Sequence, residues 1–410
     1  MELFDVQTIE DAQREVIQSV GKAFLRTEPV PLNDALGRVL AEDIPCAFDV
    51  PGFTRSTMDG YAVRAKDTQG AGESIPAFLT VVGEVEMGKA APVAIRPGEC
   101  CYVPTGGMLP EGADAVVQVE YSEPFGKNKI AVYHAVSTGR NLILKGEDTK
   151  AGEPVLTRGT VLRAQDVGAL ASAGVTDVPV YEPLRIAVIS TGDELTPPGE
   201  PLQPGKIYDI NTYAVAGMAK SYGHVITSQQ VVPDREDRLV AALKSAMKDS
   251  DIVCVSGGSS QGKKDMTKRL IDELSDPGVF THGLAMKPGK PTILGYDSVS
   301  KTLLCGLPGH PVAAVYVLEL VVLDALNELQ GRDAPLTVYA RMDQNIGCDA
   351  GKSNCFAVKL EETEEGCIAH PVLGKSGLIS TMTESDGYLV TDRNKEGIKQ
   401  GELIKVRLFR

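Results

Sequence analysis

From residue 184 onward the sequence alternates between short apolar runs and amphipathic segments of helical length. LRIAVIS (184–190), VITSQQVV (225–232) and DIVCVS (251–256) are predicted strands, and further strands are expected near PTILGY and LLCG. NTYAVAGMAKSYG, REDRLVAALKSAMKD, a segment from Met266 and a long segment from about Val312 are predicted helices. Such alternation indicates an α/β fold with a doubly wound, mostly parallel sheet, and sheets of this kind bind ligands in the crevice beyond the carboxyl ends of their strands.

The sequence on either side of this alternation has a different texture. Residues 46–146 and the residues after GRDAP (331–335) contain short alternating runs broken by Gly and Pro, which predict β structure. The first 45 residues are predicted to be helical, with Leu32, Ala35, Leu36, Val39 and Leu40 at helical spacing, and AQDVGALASAG (164–174) is a further predicted helix. The predicted organisation has four parts: an N-terminal helical linking subdomain of residues 1–45 and 147–180, a β-rich insertion domain of residues 46–146, the doubly wound domain of residues 181–330, and a small all-β C-terminal domain of residues 331–410.

Composition excludes several classes of partner. A chain of 410 residues with a formal net charge of −14 is too long for one hydrophobic core, and it is too acidic for duplex nucleic acid or an anionic membrane as its main partner. The N-terminal sequence MELFDVQTIEDAQREVIQSV has no continuous apolar run, so we expect an amphipathic helix and a cytoplasmic protein rather than a signal peptide or membrane span. The eight cysteines form no C-x-x-C pair and the five histidines no H-x-x-x-H spacing, so no transition-metal site is expected from them.

The stretch SGGSSQGKKD (256–265) follows a predicted buried strand and precedes a predicted helix, a context that suits three kinds of site. From Gly257 it is one residue short of a P-loop, and Lys264 occupies the place of the hydroxyl residue that would hold magnesium. From Gly258 it matches the G-x-S-x-G elbow of a serine hydrolase, with Ser260 as the nucleophile. As a generic anion cradle, its glycines let backbone N–H groups approach a phosphate at the start of a helix, where Asp265 is either a functional residue or a plain N-cap.

Other predicted strand ends of the same domain also carry chemically useful side chains. STGDEL places Asp193 and Glu194 in the crevice, QVVPDRED adds Asp234, and AMKPGKP holds Lys287 and Lys290 around a rigid turn. One acid at a strand end usually belongs to a solvated loop or caps a helix. Acids and paired lysines at several strand ends are less easily explained in that way. Because magnesium is bound by a few carboxylates together with substrate phosphates, these residues predict an enzyme that acts on a phosphate-bearing anion with Mg²⁺.

Three Gly-rich turns of the N-terminal half carry acidic or hydroxyl side chains. They are RSTMDGYAVR with Asp59, PTGGMLPEGADAVV with Thr105, and GRNLILKGEDT with Asp148. Taken alone, each is best interpreted as ordinary turn chemistry, because Asp-Gly and Gly-Gly are common turn formers.

Seven segments taken in order resemble one known family. PGFTRSTMDGYAVR, PTGGMLPEGADAVV, GEDTKAGEPVLTRGT, VISTGDELTPPGEPLQPGKIYDIN, VSGGSSQGKKD, MKPGKP and GLPGHPVAA look like those of the molybdopterin molybdenumtransferases, the molybdenum-insertion enzymes, and are similar to the E domain of gephyrin. The resemblance covers almost the whole chain. It implies that adenylylated molybdopterin and molybdate are the substrates, that AMP is released, and that Mg²⁺ or a similar divalent ion is required. It also implies a homodimer with its active site between the doubly wound domain of one subunit and the β-rich domain of the other.

The resemblance also assigns site residues, position by position. The acids implied to be catalytic are Asp59, Asp148, Glu194, Asp234 and Asp265, and the last three of these are the implied metal ligands. The residues implied to bind substrate are Thr105, Gly257, Gly258, Ser260, Gly262, Lys287, Lys290, Pro308, Pro311, Lys352 and Ser376. On this reading the 256–265 stretch is the anion cradle, and no acyl-enzyme forms.

The chain departs from the family pattern at a few positions. His310 stands where Asn is common, Ala313 where many members have a serine, and Lys145 and Lys352 where arginines are frequent. An Arg-to-Lys change loses bidentate geometry for an oxyanion, so the choice between molybdate and tungstate stays open. The alternatives are a non-catalytic molybdopterin-binding scaffold, a tungstate-preferring insertion enzyme, a serine hydrolase, and a nucleotide-binding enzyme that shares only the doubly wound domain.

Overall fold

The computed structural model describes residues 6–257, 264–364 and 366–409, with only the backbone of residues 264 and 265. The central domain is built on a six-stranded sheet. Its strands, β1 to β6 in chain order, are Arg185–Thr191, Val225–Val232, Ile252–Gly257, Pro277–His282, Ile293–Asp297 and Thr302–Leu307. They lie in the order β2-β1-β3-β6-β5-β4. The first four strands in this order are parallel to one another, whereas β5 runs antiparallel to both of its neighbours, β6 and β4.

Helices cover both faces of this sheet, as predicted. They are α1 Asn211–Ser221, α2 Glu236–Asp249, α3 Lys264–Leu274, and a long helix that runs as α4 Pro311–Val317, a π-helical turn Leu318–Leu323, and α5 Asp324–Gln330. Because successive strand residues point to opposite faces, Ile186 and Val188 join the core under α1 and the long helix, whereas Ala187 and Ile189 join the core under α2 and α3. The N-terminal helix Ile9–Val20 packs into the first of these cores.

The helix predicted over residues 32–40 is wrong. The chain there forms a strand, Thr27–Pro31, a single 3₁₀ turn, Leu32–Asp34, and β-bridges from Val39 and Leu40. Two prolines in the strand and a left-handed Gly37 (φ +77°) break a helix. Most of these apolar side chains are buried instead by antiparallel pairing with Asp177–Tyr181 and by the predicted helix, which forms as Ala164–Ser172, whereas Leu36 is 63% exposed.

The β-rich insertion is a second six-stranded sheet with short flanking pairs. In spatial order its strands are Ala115–Gln118, Gly60–Val63, Glu99–Val103, Ala77–Glu84, Lys129–Val132 and Ser122–Phe125. Beside it, Arg55–Ser56 pairs with Leu142–Ile143, and Ile44–Pro45 pairs with Pro154–Leu156.

The C-terminal domain is a closed barrel of five strands. In order around the barrel they are Ser353–Thr363, Gly366–Pro371, Thr337–Met342, Leu403–Leu408 and Gly387–Val390, and the last pairs with the first. A short helix, Ser380–Thr383, and the pair Ile346–Gly347 with Gly397–Ile398 complete it. The predicted fold class, an α/β chain with a mostly parallel central sheet, a β-rich insertion domain and a small all-β C-terminal domain, is thus confirmed.

Candidate functional site

The carboxyl edge of the parallel strands gathers the loops that the sequence singles out. The loops after β1, β2, β3 and β6 all leave the sheet at this edge. Because β5 runs antiparallel, with Ile293 beside Gly306 of β6, the lysine turn 287–290 enters the sheet from the same edge. The predicted crevice therefore receives chain from five places in the central domain.

A cleft of about 930 Å³ opens between this edge and the C-terminal barrel. Its walls come from segments 286–291 and 308–316 of the central domain and 347–357 and 372–381 of the barrel. Parallel pairing of Met286 and Lys287 with Ser353 and Asn354 joins the two domains along one side. The volume is within the range of small-molecule sites.

The side chains that line this cleft carry an excess of positive charge. Lys287, Lys290, Lys352 and Lys375 line it, whereas Asp349 is the acid among its lining residues. Lys287 Nζ lies 3.0 Å from Asp349 Oδ1, and Lys352 Nζ lies 3.5 Å from Asp349 Oδ2. The hydrogen bond from Lys287 is the main reason why the pKa of Asp349 is lowered, so this carboxylate stays charged and holds both ammonium groups. The cleft is therefore suited to an anion.

A contact between the two domains closes the other side of the cleft. His310, in the loop after β6, has its Nδ1 2.8 Å from Ser376 Oγ of the barrel. The backbone N–H of Val312 donates to Ser376 O at 3.2 Å. The sequence singles out both residues, His310 as a departure and Ser376 as a binding residue, but their contact was not predicted.

Buried polar side chains hold the loop after β6 in place. Asn211, the first residue of α1, donates its Nδ2 to Gly309 O at 2.8 Å, and Ser256 Oγ donates to Pro308 O at 3.3 Å. Pro308 lines the cleft, as expected for a wall residue. Pro311 is buried as the first residue of α4, where its fixed φ suits a helix start, and it is not among the residues that line the cleft.

The predicted acids lie at the ends of two adjacent strands. Asp234 follows β2, and its Oδ1 accepts the hydroxyl of Thr191 at 2.7 Å, while its N–H donates to Asp193 Oδ1 at 3.1 Å. Glu194, the residue after Asp193, is exposed. Its carboxylate lies close to the backbone of Gly192, where an added Cβ would be 2.9 Å from it. Carboxylate oxygens are the donors that Mg²⁺ prefers, so these side chains fit that ion. Within the described ranges there is no group of three His, Cys, Asp or Glu side chains placed to hold a metal.

Two of the three N-terminal candidates are brought together. Thr105 donates both its backbone N–H (2.6 Å) and its hydroxyl (2.9 Å) to Asp59 Oδ1, and the backbone bond is the main reason why the pKa of Asp59 is lowered. Asp148 lies in a turn with its side chain exposed, and its backbone N–H donates to Val50 O. None of the three lines the cleft of the same chain.

Part of the predicted cradle can be placed. Gly257 ends β3 with φ +137°, and an added Cβ would lie 2.0 Å from Thr191 O, so this position accepts glycine alone without a backbone shift. Gly258, Ser260 and Gly262 lie outside the described residues, as does the side chain of Asp265. Sequence reasoning missed Asp349, which belongs to no motif, and Lys375, which directly precedes the predicted binding residue Ser376.

Comparisons with known proteins cover nearly the whole chain. Residues 7–174 match the family model described as the MoeA N-terminal region (domain I and II), residues 187–328 that of a probable molybdopterin binding domain, and residues 339–409 that of the MoeA C-terminal region (domain IV). No helix in the described parts of the chain has the length and apolar character needed to cross a membrane.

Individual relatives agree with these matches. The chain is 31% identical over 389 residues to the molybdopterin molybdenumtransferase of Haemophilus influenzae, covering 94% of each chain. It is 32% identical over 392 residues to the molybdopterin molybdenumtransferase of Bacillus subtilis, covering 94% of this chain and 90% of the relative. The crystal structure of a molybdopterin biosynthesis MoeA protein from Pyrococcus horikoshii superposes with a TM-score of 0.83 at 33% identity, covering 99% of this chain and 100% of that one.

Proposed function

Because this chain belongs to the MoeA family of molybdopterin molybdenumtransferases, transferases of molybdenum cofactor biosynthesis, we propose that it inserts molybdate into adenylylated molybdopterin and releases AMP in a Mg²⁺-dependent reaction. The observation that carries this proposal is local charge. In a chain of net charge −14, four lysines line one cleft at the ligand-binding edge of the central sheet.

The cleft lined by Lys287, Lys290, Lys352 and Lys375, called the lysine cleft below, is the proposed oxyanion site. Both substrates are anions, so an acidic protein must concentrate positive charge where they meet. Lys287, Lys290 and Lys352 approach from two domains, and Asp349 orients two of them. Ser376 adds a hydroxyl at the opposite wall. Fixed cations of this kind stabilise the charge of a bound molybdate and hold it for attack by the dithiolene sulfurs.

The acids at the strand ends are the proposed magnesium ligands. Glu194 and Asp234 supply oxygen donors beside the cleft's own edge of the sheet, and Asp265 is the third proposed ligand. The ion, when bound, would neutralise phosphate charge in the phosphoanhydride. Gly257, Gly258, Ser260 and Gly262 are proposed to bring backbone N–H groups to that phosphate.

We propose a homodimer in which Asp59, Thr105 and Asp148 of one subunit face the central domain of the other. Large apolar side chains are exposed beside both halves of this proposed site. Phe53, Met58 and Leu144 are 40%, 41% and 51% exposed near Asp59 and Asp148 in the sequence. Ile207, Tyr208, Ile210 and Tyr213 are 37–55% exposed, and Ile207 N–H donates to Glu194 O at 2.9 Å. Exposed apolar groups of this density favour burial by a protein partner.

Release of AMP in a single turnover tests the proposal. Purified protein is mixed with adenylylated molybdopterin and Mg²⁺, with molybdate, with tungstate, or with neither oxyanion. We expect molybdate-dependent release by the wild type, a loss of at least about tenfold in Asp265→Asn because one charged ligand is removed, and no change in Lys127→Ala, which lies on an exposed turn of the insertion domain.

Three outcomes would change this proposal. Absence of AMP release by folded wild-type protein would favour a non-catalytic scaffold. Faster release with tungstate than with molybdate would make the chain a tungstate-inserting enzyme. Because α3 begins at Lys264, Asp265 is not its N-cap, and unchanged turnover in Asp265→Asn would reduce Asp265 to an acid in the first turn of that helix.

A further inference from the structure

The two sides of the lysine cleft are held together in different ways. On one side the central domain and the barrel share backbone pairing, and Ser353 N–H donates to Ala285 O at 2.8 Å. On the other side the contacts converge on Ser376, whose carbonyl accepts the N–H of Val312 and whose Oγ lies 2.8 Å from His310 Nδ1. The position of the Ser376 hydroxyl group at this wall therefore depends on the imidazole ring of His310.

The orientation of His310 suits this contact and not a role in the helix that follows. His310 is the residue before α4, with extended backbone (φ −77°, ψ 128°), and its side chain makes no capping bond to that helix. The ring is exposed and lines the cleft, so burial does not fix it. Gly377 lies against it, since a Cβ there would be 3.7 Å from the imidazole Cδ2. The hydrogen bond to Ser376 therefore determines the orientation of the His310 ring.

The direction of this bond decides what the serine can offer to a ligand. A serine hydroxyl has one proton to donate, and an oxyanion offers only acceptors. When Nδ1 carries a proton and donates to Oγ, the hydroxyl proton remains available for an anion in the cleft. When Nδ1 is unprotonated, it accepts a hydrogen bond from the serine hydroxyl, and the serine then presents only lone pairs to the anion. Lys287, Lys290, Lys352 and Lys375 draw an anion to the same space.

We propose that His310 is a positioning residue whose Nδ1–H donates to Ser376 Oγ and thereby directs the serine hydroxyl proton towards an oxyanion in the lysine cleft. This inference rests on the proposed function, because it requires that the cleft binds an oxyanion. His310 acts through Ser376 and not by contact with the ligand.

Equilibrium dialysis of the full chain against molybdate, with sulfate as the competitor, tests this relay. The variants are His310→Asn, His310→Gln, Ser376→Ala and the double variant His310→Gln/Ser376→Ala. An Asn amide N–H can occupy the place of Nδ1–H, whereas a Gln amide extends towards the place of Nε2. We expect Asn to bind within about twofold of the wild type, and both Gln and Ser376→Ala to bind about three- to tenfold more weakly, which is the range for one hydrogen bond. The double variant should bind no more weakly than the single ones.

Several results would overturn the relay. Additive losses in the double variant would show that the two residues act independently. Retained affinity in Gln with loss in Asn would show that the ring contacts the ligand through Nε2. Unchanged affinity in all variants would show that Ser376 does not bind the oxyanion.

A second readout does not depend on binding. The ¹⁵N signals of the His310 ring, identified by their loss in His310→Asn, should show a protonated Nδ1 that shifts in Ser376→Ala. An unprotonated Nδ1 overturns the inference even if molybdate binds. If the folded wild type binds no molybdate while Nδ1 is protonated and bonded to Ser376, the proposed oxyanion site fails and the inference, which requires it, fails with it.

Discussion

Asp349 shows how single side chains can serve the cleft without adding much to stability. Its carboxylate holds Lys287 and Lys352 at 3.0 and 3.5 Å. All three side chains are 40–58% exposed, and ion pairs at such exposure contribute little to folding free energy. The effect of the carboxylate is to orient two flexible ammonium groups from different domains towards one space. We therefore regard Asp349 as part of the proposed oxyanion site.

His224 is a single residue whose protonation couples to folding. It is 8% exposed, and its Nδ1 accepts the N–H of Leu184 at 3.4 Å. Burial lowers the pKa of the imidazole from 6.5 to about 4, and the nearby Arg332 guanidinium acts in the same direction. Since the unfolded chain takes up this proton near pH 6.5 and the folded chain only near 4, the stabilisation is complete above pH 6.5 and is lost as the pH falls towards 4.

Urea unfolding of the wild type and His224→Gln at pH 7.5, 5.5 and 4.5 measures this coupling. We expect the wild type to be the more stable at pH 7.5, and its advantage to shrink by about 3 kcal/mol on the way to pH 4.5, because only the wild type carries the titrating group. Stability curves that stay parallel across this range would contradict a buried neutral imidazole.

At this scale the sequence predicts motif residues better than their partners. Lys287, Lys290 and Pro308 belong to recognisable strand-end turns, and the structure brings them into one cleft with Lys352 and Ser376. Their roles stay predictions. Asp349 could not be found in this way, because its main partner is 62 residues away in the chain and in another domain. The His310–Ser376 contact spans 66 residues for the same reason.

At the scale of elements, the long helix after β6 joins the central domain to the barrel through a buried carboxylate. Glu319 lies in the π-helical turn and is 1% exposed. It accepts hydrogen bonds from Tyr222 Oη at 2.7 Å and Tyr388 Oη at 2.9 Å, and Arg407 lies 3.0 Å from it. The tyrosine and arginine from the barrel thus meet the helix at one charged group.

Replacement of this carboxylate should destabilise the molecule strongly. In Glu319→Leu two buried hydroxyls lose an acceptor and Arg407 loses one of its two acidic partners, so we expect a loss of about 3–5 kcal/mol of unfolding free energy. Glu328→Leu, on the exposed side of α5, is the matched control and should change stability by less than about 0.5 kcal/mol. Chemical unfolding of both variants measures the difference, and equal stabilities would contradict the assigned role of Glu319.

Elements with a clear local period were predicted correctly in the central domain and in the C-terminal barrel, but the helical pattern at residues 32–40 was misleading. The strands and helices between residues 184 and 330 repeat apolar positions over many residues, so local sequence is enough to identify them. Leu32 to Leu40 also show a helical spacing, but there Leu40 is buried by pairing with the chain 140 residues further along, and Leu36 is exposed. A local pattern cannot reveal such a partner.

At the scale of the whole molecule, the candidate residues fall into two groups. One group lines the lysine cleft or lies at the adjacent strand ends, and the other lies in turns of the insertion domain. The spacing of the motifs does not show that these two groups belong to one site. Within one chain, the insertion-domain turns do not line the cleft. The sequence predicted the four-part organisation from changes in texture, but how the parts face each other depends on surfaces that leave no periodic signal. The proposed homodimer would bring the two groups to one substrate.

Mixed dimers test this account most directly. Differently tagged Lys290→Ala and Asp59→Asn subunits are co-expressed, the heterodimer is purified through both tags, and molybdate-dependent AMP release is measured beside each homodimeric variant. Each homodimer should lose activity by about a hundredfold. If the cleft of one subunit works with the turns of its partner, the heterodimer contains one intact site of two and should recover about half of the wild-type rate. A heterodimer as inactive as its parents would contradict a site shared between subunits.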